Sequence, residues 1–181
     1  PTAIYQATRI SFIYVLGKIG APASLPALRE ALADKNAEVR LAAIRALSEW
    51  PTGEPYADLW KVVTGAKERR HRTLALRGSV RLIGLDDKRS PEESVKLYRE
   101  AMKVAPNTEE LKLLLSAVGE ARSLAAFHLA AGYLKDEKLQ NEAEIAVVKI
   151  GEGIAGTSGA AVAPVLKQVE QSSNSGAIVR R

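Results

Sequence analysis

The sequence predicts an all-α fold, an α-solenoid of stacked antiparallel helix pairs with about four repeats and a partial repeat at each end. Three observations support this class. Apolar residues recur at helical spacing in columns that repeat along the chain. Apolar residues make up 46% of the sequence and aromatic residues only 5%, which favours closely packed helices over a β-sandwich. No segment has the sustained alternation that a half-buried strand needs.

The stretch 16–50 shows the repeating unit most clearly. Its apolar residues recur at helical spacing on two helices separated by a turn at 34–36: Leu25, Leu28 and Leu32, then Val39, Ala43, Ile44 and Leu47. This pattern predicts a helical hairpin of 31 to 36 residues.

The second helix of this hairpin recurs five times along the chain in three registered columns. The columns are Ile13, Ile44, Val80, Leu115 and Val147; Leu16, Leu47, Ile83, Val118 and Ile150; and Gly17, Ser48, Gly84, Gly119 and Gly151. The second column advances by 31, 36, 35 and 32 residues. Because glycine is favoured in a left-handed helix cap, we interpret the third column as the residues that end these helices.

The first helices of the repeats fit between these columns. They are predicted over 24–33, 55–63, 90–105, 123–134 and 161–170. The third begins with a strong signal, because Ser90 is a good N-cap, Pro91 suits the first helical position and Glu93 completes a capping box. Thr108, with two acids after it, is expected to cap the second helix that runs to Val118.

The predicted organisation is one repeat domain over 1–181. It comprises a partial repeat at 1–20, repeats at 21–50, 51–85, 86–119 and 120–152, and a partial repeat at 153–181. In the last of these, Val179 and Arg180 match Val39 and Arg40 at the start of a second helix. A natural end would carry a polar capping helix, so we expect further repeats of a parent protein on both sides.

The repeat at 16–50 resembles the HEAT-like repeats of bacterial proteins, a group that also occurs in phycobilisome lyases. The shared features are Leu16-Gly17, Ile19-Gly20, Leu25-Pro26-Ala27-Leu28, Leu32-Ala33-Asp34, Val39-Arg40, Ala42-Ala43 and Ala46-Leu47. Later copies depart from it, since Leu76, Leu111 and Ala143 replace Arg40. The resemblance implies a solenoid whose second helices line a concave face, with a scaffold or binding role and no fixed chemistry.

Two further resemblances bear on the organisation. Residues 67–152 look like the HEAT-like segments of large, often exported, multidomain proteins of planctomycete-type bacteria. The stretch 94–110 looks like the end of a tetratricopeptide repeat, which would make a peptide-binding array. The compartment is left open between a bacterial cytoplasm and export as part of a larger protein.

Candidates for chemistry are few, and we predict no catalytic residue, cofactor or metal site. The chain has no cysteine, and its two histidines, His71 and His128, have no partner at metal-ligand spacing. His128 lies in an apolar helix, where a packing role is expected. Gly151, Gly153 and Gly156 form a G-x-G-x-x-G, but neighbouring strands are missing, so we interpret this run as a flexible joint between repeats.

Two other groups of residues have structural interpretations. Paired acids at helix starts, Glu92-Glu93 and Glu109-Glu110, complement the helix dipole and suit capping better than acid–base catalysis. Trp50 and Trp60 are expected to pack between repeats, with an exposed aromatic site as the alternative.

Positive charge is concentrated in one segment. The net charge is +5, and the window 67–89 holds eight Lys or Arg and three Asp or Glu, which accounts for all of it. At 100° per residue, Arg70, Arg77 and Arg81 form a ridge beside the apolar stripe of one helix. Arg45 occupies the place of Arg81 in the preceding repeat. These four arginines, the arginine ridge, are the candidate partner-binding residues.

The predicted function is a non-catalytic protein–protein interaction scaffold. The leading interpretation of the ridge is a solvated face that pairs with acids of the next helix. Because arginine suits bidentate contacts with carboxylates and phosphates, the alternative is a contact surface for an acidic partner protein or glycan. Nucleic-acid binding is the second function considered, because some HEAT-like folds are DNA glycosylases. That function needs basic residues on successive repeats, and the later repeats have Leu115, Ser116 and Val148 instead. No apolar run reaches membrane-spanning length, so no membrane insertion is expected.

Overall fold

The computed structural model describes the backbone of residues 2–172 and the side chains of residues 4–171. Nine α-helices and one short 3₁₀ turn account for its secondary structure, and the described residues contain no strand. They are α1 (Thr2–Ile19), the 3₁₀ turn (Pro22–Ser24), α2 (Leu25–Leu32), α3 (Ala37–Ser48), α4 (Tyr56–Gly65), α5 (Arg69–Gly84), α6 (Pro91–Val104), α7 (Thr108–Val118), α8 (Leu124–Ala131) and α9 (Gln140–Ser172). The predicted all-α class of stacked helix pairs is confirmed.

The chain divides into two compact units, with the boundary between Asp86 and Asp87. This boundary coincides with the predicted junction between the repeats at 51–85 and 86–119. A single domain over 1–181 and the further repeats beyond it stay predictions.

Unit 1, which ends at Asp86, is built around three second helices packed side by side. Helix α3 lies between α1 and α5, while α2 packs on α3 and α4 packs on α5. The first predicted column is buried here as Ile13, Ile44 and Val80, and Leu47 and Ile83 of the second column are buried as well. The helical hairpin inferred from residues 16–50 is therefore the packing unit.

The third column does not form left-handed caps, and this interpretation is wrong. Among the described residues, only Gly20 has a positive φ, at 62°, and its N–H donates to the Leu16 carbonyl. Gly17 instead lies inside α1, and an added Cβ would come within 2.6 Å of the Ala46 Cβ on α3. Ser48 likewise faces Gly78 on α5. At Gly17, Ser48 and Gly119 the column holds small residues because neighbouring helices approach each other there.

Unit 2, which begins at Asp87, has the same kind of packing. Helix α9 contacts α7 and α8, and α6 contacts the same two helices. Gly119 lies against Ala146 of α9, which repeats the close approach seen in unit 1. The fourth and fifth copies of both apolar columns are buried: Leu115, Val147, Val118 and Ile150.

The caps of unit 2 follow the predictions with one exception. Ser90 accepts the N–H of Glu93, whose carboxylate accepts the N–H of Ser90, so the capping box is confirmed. Helix α7 is capped by Asn107 and not by Thr108, since the Asn107 Oδ1 accepts the Glu110 N–H at 3.0 Å. Asparagine is a stronger N-cap than threonine, and Thr108 becomes the first helical residue.

Helix α9 overturns the predicted flexible joint at the glycine-rich run. Gly151, Gly153 and Gly156 are helical, and the chain bends at Ser158 (φ −135°, ψ 19°) within the helical span. Buried Ile154 on the near side of the bend anchors this segment. A strand followed by a phosphate loop is therefore excluded. The predicted second helix at Val179 and Arg180 lies outside the described residues.

One helix of the described chain, Gln140–Gln171, is long and apolar enough to cross a membrane by length and composition. The expectation that no run reaches this length is wrong by that measure. About a third of its most apolar window is buried in the protein (33%), and Ala143 and Val147 pack in the core of unit 2. The apolar character of this helix therefore serves the core in this structure.

The close approach of α1 and α3 predicts an unequal response of two glycines to alanine. Gly17→Ala should lower the free energy of unfolding of unit 1 by about 1 to 3 kcal/mol, because the new methyl group overpacks against Ala46. Gly65→Ala is the control, since nothing lies within 4 Å of its added Cβ, and it should be neutral or stabilising by up to about 1 kcal/mol.

Urea unfolding followed by tryptophan fluorescence measures both variants, because the two tryptophans of the chain, Trp50 and Trp60, lie in unit 1. Equal unfolding midpoints for the two variants would contradict the close-approach interpretation.

Candidate functional site

The arginine ridge lies on the surface of unit 1. Arg45 on α3 and Arg70, Arg77 and Arg81 on α5 are all exposed. Arg70 and Arg81 are eleven residues apart, which places them about 16 Å apart along the helix axis at 1.5 Å per residue. The ridge is thus a line along α5 with Arg45 on the adjacent helix, and its members differ in what they contact.

Arg81 is committed to a structural role that the sequence did not indicate. Its Nη1 donates to the carbonyl oxygens of Ser48, at 3.1 Å, and Trp50, at 2.7 Å. These carbonyls lie at the C-terminal end of α3, where the last turn of a helix leaves acceptors without intrahelical partners. A cation there also complements the helix dipole. Arg81 therefore joins α5 to the end of α3.

Two other ridge residues, Arg70 and Arg45, are less constrained than Arg81. Arg70 lies 4.0 Å from a carboxylate oxygen of Glu38, and both side chains are about two-thirds exposed (65% and 66%), so the pair is weak. Arg45 lines a small hollow of about 180 Å³ between α1 and α3, together with Tyr14 and Glu49. The ridge as a partner-binding surface stays a prediction.

A larger cavity, of about 730 Å³, opens between the first two complete repeats of unit 1. The end of α2, the start of α3, the second half of α4 and the start of α5 surround it. Leu32, Ile44 and Val62 supply apolar surface, with Ala33 and Ala66 beside them. This cavity could not be predicted from the sequence, because its lining comes from four helices and the turns between them.

Ion pairs between neighbouring repeats cross the cavity. Arg29 on α2 donates to Asp58 on α4 at 2.8 Å. Arg40 on α3 pairs with Glu68, which precedes α5, and also donates to the backbone carbonyls of Asp34 and Lys35. Each pair joins corresponding helices of two successive repeats, so the pairs hold the walls of the cavity together.

The carboxylates around the cavity are stabilised in their charged forms. The Glu68 pKa is lowered, chiefly because its carboxylate accepts its own backbone N–H, with Arg40 as a further cause. The Asp34 pKa is lowered mainly by the Asn36 backbone N–H and then by Arg9, which lies 2.5 Å away. Both acids are therefore held as anions with partners.

His71 is the most deeply buried ionisable residue at this cavity, with 4% of its surface exposed. Its Nδ1 lies 3.5 Å from a carboxylate oxygen of Glu68. His71 lies in the first turn of α5, and α5 packs against α4 inside unit 1. His71 was noted in the sequence only as a histidine without a metal partner, and its burial depends on the tertiary structure.

Two other sequence expectations receive an answer. The expected packing role of His128 is wrong, because the side chain is exposed on α8, beside Phe127 with ring centroids 5.9 Å apart. Trp50 is buried, at 1% exposure, as expected. Trp60 is half-buried and stacks on Tyr56 at a centroid distance of 5.9 Å.

Groups of three or more potential metal ligands are absent from the described residues.

Helix α1 presents an apolar face that nothing covers within unit 1. Its exposed members are Ile4, Tyr5, Phe12, Val15 and Ile19. By the 31-residue step, Phe12, Val15 and Ile19 correspond to Ala43, Ala46 and Trp50, which are buried in the following repeat.

The two arginines aligned by the repeat should differ in their contribution to stability. Arg81→Met should lower the free energy of unfolding of unit 1 by about 1 to 2 kcal/mol, because it removes two charge-assisted hydrogen bonds to backbone carbonyls. The matched variant Arg45→Met should change it by less than about 0.5 kcal/mol, as expected for an exposed substitution. Urea titration monitored by tryptophan fluorescence provides the measurement, and equal effects would refute the capping role.

The lowered Glu68 pKa predicts an acid-dependent stability difference. A carboxyl group whose pKa is lower in the folded state stabilises the fold above its unfolded pKa, near 4.5, and loses this contribution as the pH falls through the folded pKa. The urea midpoints of wild type and Glu68→Gln should therefore differ at pH 7 and converge below about pH 4. Glu54→Gln, at an exposed acid outside the cavity, is the control. A difference that persists at low pH would contradict this account.

Comparison with known families agrees with the repeat architecture. Residues 5–78 match the family model of HEAT repeats, a region that contains most of α1, all of α2 to α4 and most of α5. A search of curated proteins finds no match. The lyase-type subgroup and a bacterial origin stay predictions. Residues 5–78 are thus similar to HEAT repeats, and both units are built from stacked helix pairs of the kind that such repeats form.

Proposed function

We propose that the chain is a non-catalytic scaffold that binds a protein partner. HEAT repeats are commonly protein-interaction scaffolds, and the match over residues 5–78 supports this general role. The observation that carries the proposal is that charged groups of unit 1 form ion pairs between repeats. These partly exposed ion pairs join one repeat to the next, and a cavity and an exposed basic ridge lie beside them.

Ion pairs that join repeats occur in both units. In unit 1 they are Arg29–Asp58 and Arg40–Glu68, and in unit 2 Lys112–Glu142 joins the repeats at 86–119 and 120–152. An active site requires at least two ionisable groups that face a substrate in a cleft. Here the paired groups face each other across helices, which supports a structural function for them and a binding function for the protein.

The structure bears on the alternatives considered from the sequence. Nucleic-acid binding would use all the arginines of the ridge, but the Nη1 of Arg81 already donates to two backbone carbonyls at the end of α3. Arg70 shares its charge with Glu38. A tetratricopeptide-like array rests on the stretch 94–110, which forms most of α6 and the start of α7 in unit 2. A protein partner with acidic character therefore remains the better supported proposal.

Selection from a random peptide library tests the scaffold function directly. A phage-displayed library of random 12-residue peptides is panned on the immobilised folded chain, and enriched peptides are measured by fluorescence polarisation. We expect enriched sequences with dissociation constants in the micromolar range, corresponding to about −8 kcal/mol. Absence of enrichment over a urea-unfolded control would contradict the scaffold function.

Random-sequence DNA in the same polarisation assay separates the two functions. The scaffold proposal expects no saturable binding at 50 mM salt. A nucleic-acid binder would bind at 50 mM salt and lose affinity steeply by about 200 mM, because phosphate contacts release counterions. That result would favour the alternative function.

A further inference from the structure

We propose that the 730 Å³ cavity of unit 1, defined above between α2, α3, α4 and α5, is a binding site for an acidic, partly apolar segment of the partner protein. This inference rests on the proposed scaffold function and locates it. It also moves the expected contact surface away from the arginine ridge. The cavity has the size, the apolar floor and the unbalanced charge that such a segment requires.

The size and floor of the cavity suit side chains from a peptide. Ligand-binding cavities in proteins usually measure about 300 to 1,000 Å³ and combine apolar surface with a few placed polar groups. Leu32, Ile44 and Val62 give this cavity an apolar floor. An aliphatic or aromatic side chain of a partner would bury apolar surface there, at roughly 25 cal/mol per Å² removed from water.

The charge at the cavity is unbalanced once the ion pairs are counted. Each of its three acids already has an arginine partner: Asp34 with Arg9, Asp58 with Arg29 and Glu68 with Arg40. Two further cations, Lys61 and Lys67, line the cavity, and within the described residues neither forms an ion pair. The two ammonium groups therefore leave the cavity positive, which favours an anionic ligand.

The kind of cation favours carboxylates over phosphates. The Arg40 guanidinium donates to Asp34 and Lys35 carbonyls and pairs with Glu68, so its planar fork is occupied. Bidentate recognition of phosphate usually depends on such a fork. Lys61 and Lys67 are exposed point charges on flexible stems, and they can each meet one carboxylate of a peptide that lays an apolar side chain between them.

The walls of the cavity are held in place before any ligand arrives. The Arg29–Asp58 and Arg40–Glu68 pairs connect the four surrounding helices in two places. A site that is already ordered loses little conformational freedom on binding, which favours affinity. Helix α5 also begins at the cavity without a side-chain cap, and its N-terminal dipole adds to the positive potential there.

The peptides selected on the folded chain provide the test. We expect enrichment of Asp or Glu next to Leu, Val or Phe. Their affinity should fall about tenfold or more in the double variant Lys61→Glu/Lys67→Glu, because two attractive charges become repulsive. Arg45→Glu/Arg77→Glu is the matched control, with the same change in net charge at two exposed ridge positions, and should stay within about threefold of wild type, a difference of about 0.7 kcal/mol.

Further measurements keep the test independent of folding. Both double variants should retain the wild-type helical circular dichroism, since all four residues are exposed, and their urea midpoints are measured beside the affinities. Lys61→Gln/Lys67→Gln, which removes charge without reversing it, should weaken binding by a smaller factor. Inorganic phosphate at 10 mM should not displace the peptides beyond an equal concentration of chloride salt.

Three outcomes overturn the inference. Peptides that bind Lys61→Glu/Lys67→Glu as tightly as wild type, or that lose affinity only in Arg45→Glu/Arg77→Glu, would place the contact surface outside the cavity while the scaffold function stands. Specific displacement by phosphate would show that the site selects phosphate and not carboxylate. A library that yields no binders at all contradicts the proposed function and, with it, the site.

Discussion

The architecture depends on how closely the second helices of successive repeats approach each other. In unit 1, Gly17 of α1 lies against Ala46 of α3, and Ser48 of α3 lies against Gly78 of α5. In unit 2, Gly119, which directly follows α7, lies against Ala146 of α9. A larger side chain at any of these contacts would separate the helices, and protein interiors are packed too densely to absorb that change without cost.

This close approach determines where charged groups meet in unit 1. With α3 and α5 in contact, Arg81 reaches the carbonyls at the end of α3, and Arg40 reaches Glu68 before α5. The cavity lies between the repeats and is lined by residues of α2, α3, α4 and α5. Arginines pair with its acids, Asp34, Asp58 and Glu68, whereas Lys61 and Lys67 form no ion pair within the described residues.

Much of the fold could be predicted because helical periodicity is local. Ile44, Val80, Leu115 and Val147 are buried as their spacing required, and the Ser90 capping box forms because all its groups lie within four residues. The glycine column was correctly aligned but wrongly interpreted, since a glycine that permits close packing and a glycine that ends a helix look alike in one sequence. The glycine-rich run in α9 is helical although glycine has a low helix propensity, so local propensity did not predict its structure.

The amino-acid sequence by itself determined the repeat length, the buried columns, most helix bounds and the concentration of positive charge in one segment. Each of these depends on residues close together in the chain. Only the tertiary structure decided which charges are already paired. In the folded chain Arg81 donates to backbone carbonyls, His71 is buried and His128 is exposed. Residues from four helices line the cavity. These outcomes depend on residues about 30 positions apart, and no pattern within a single repeat records which of them will meet.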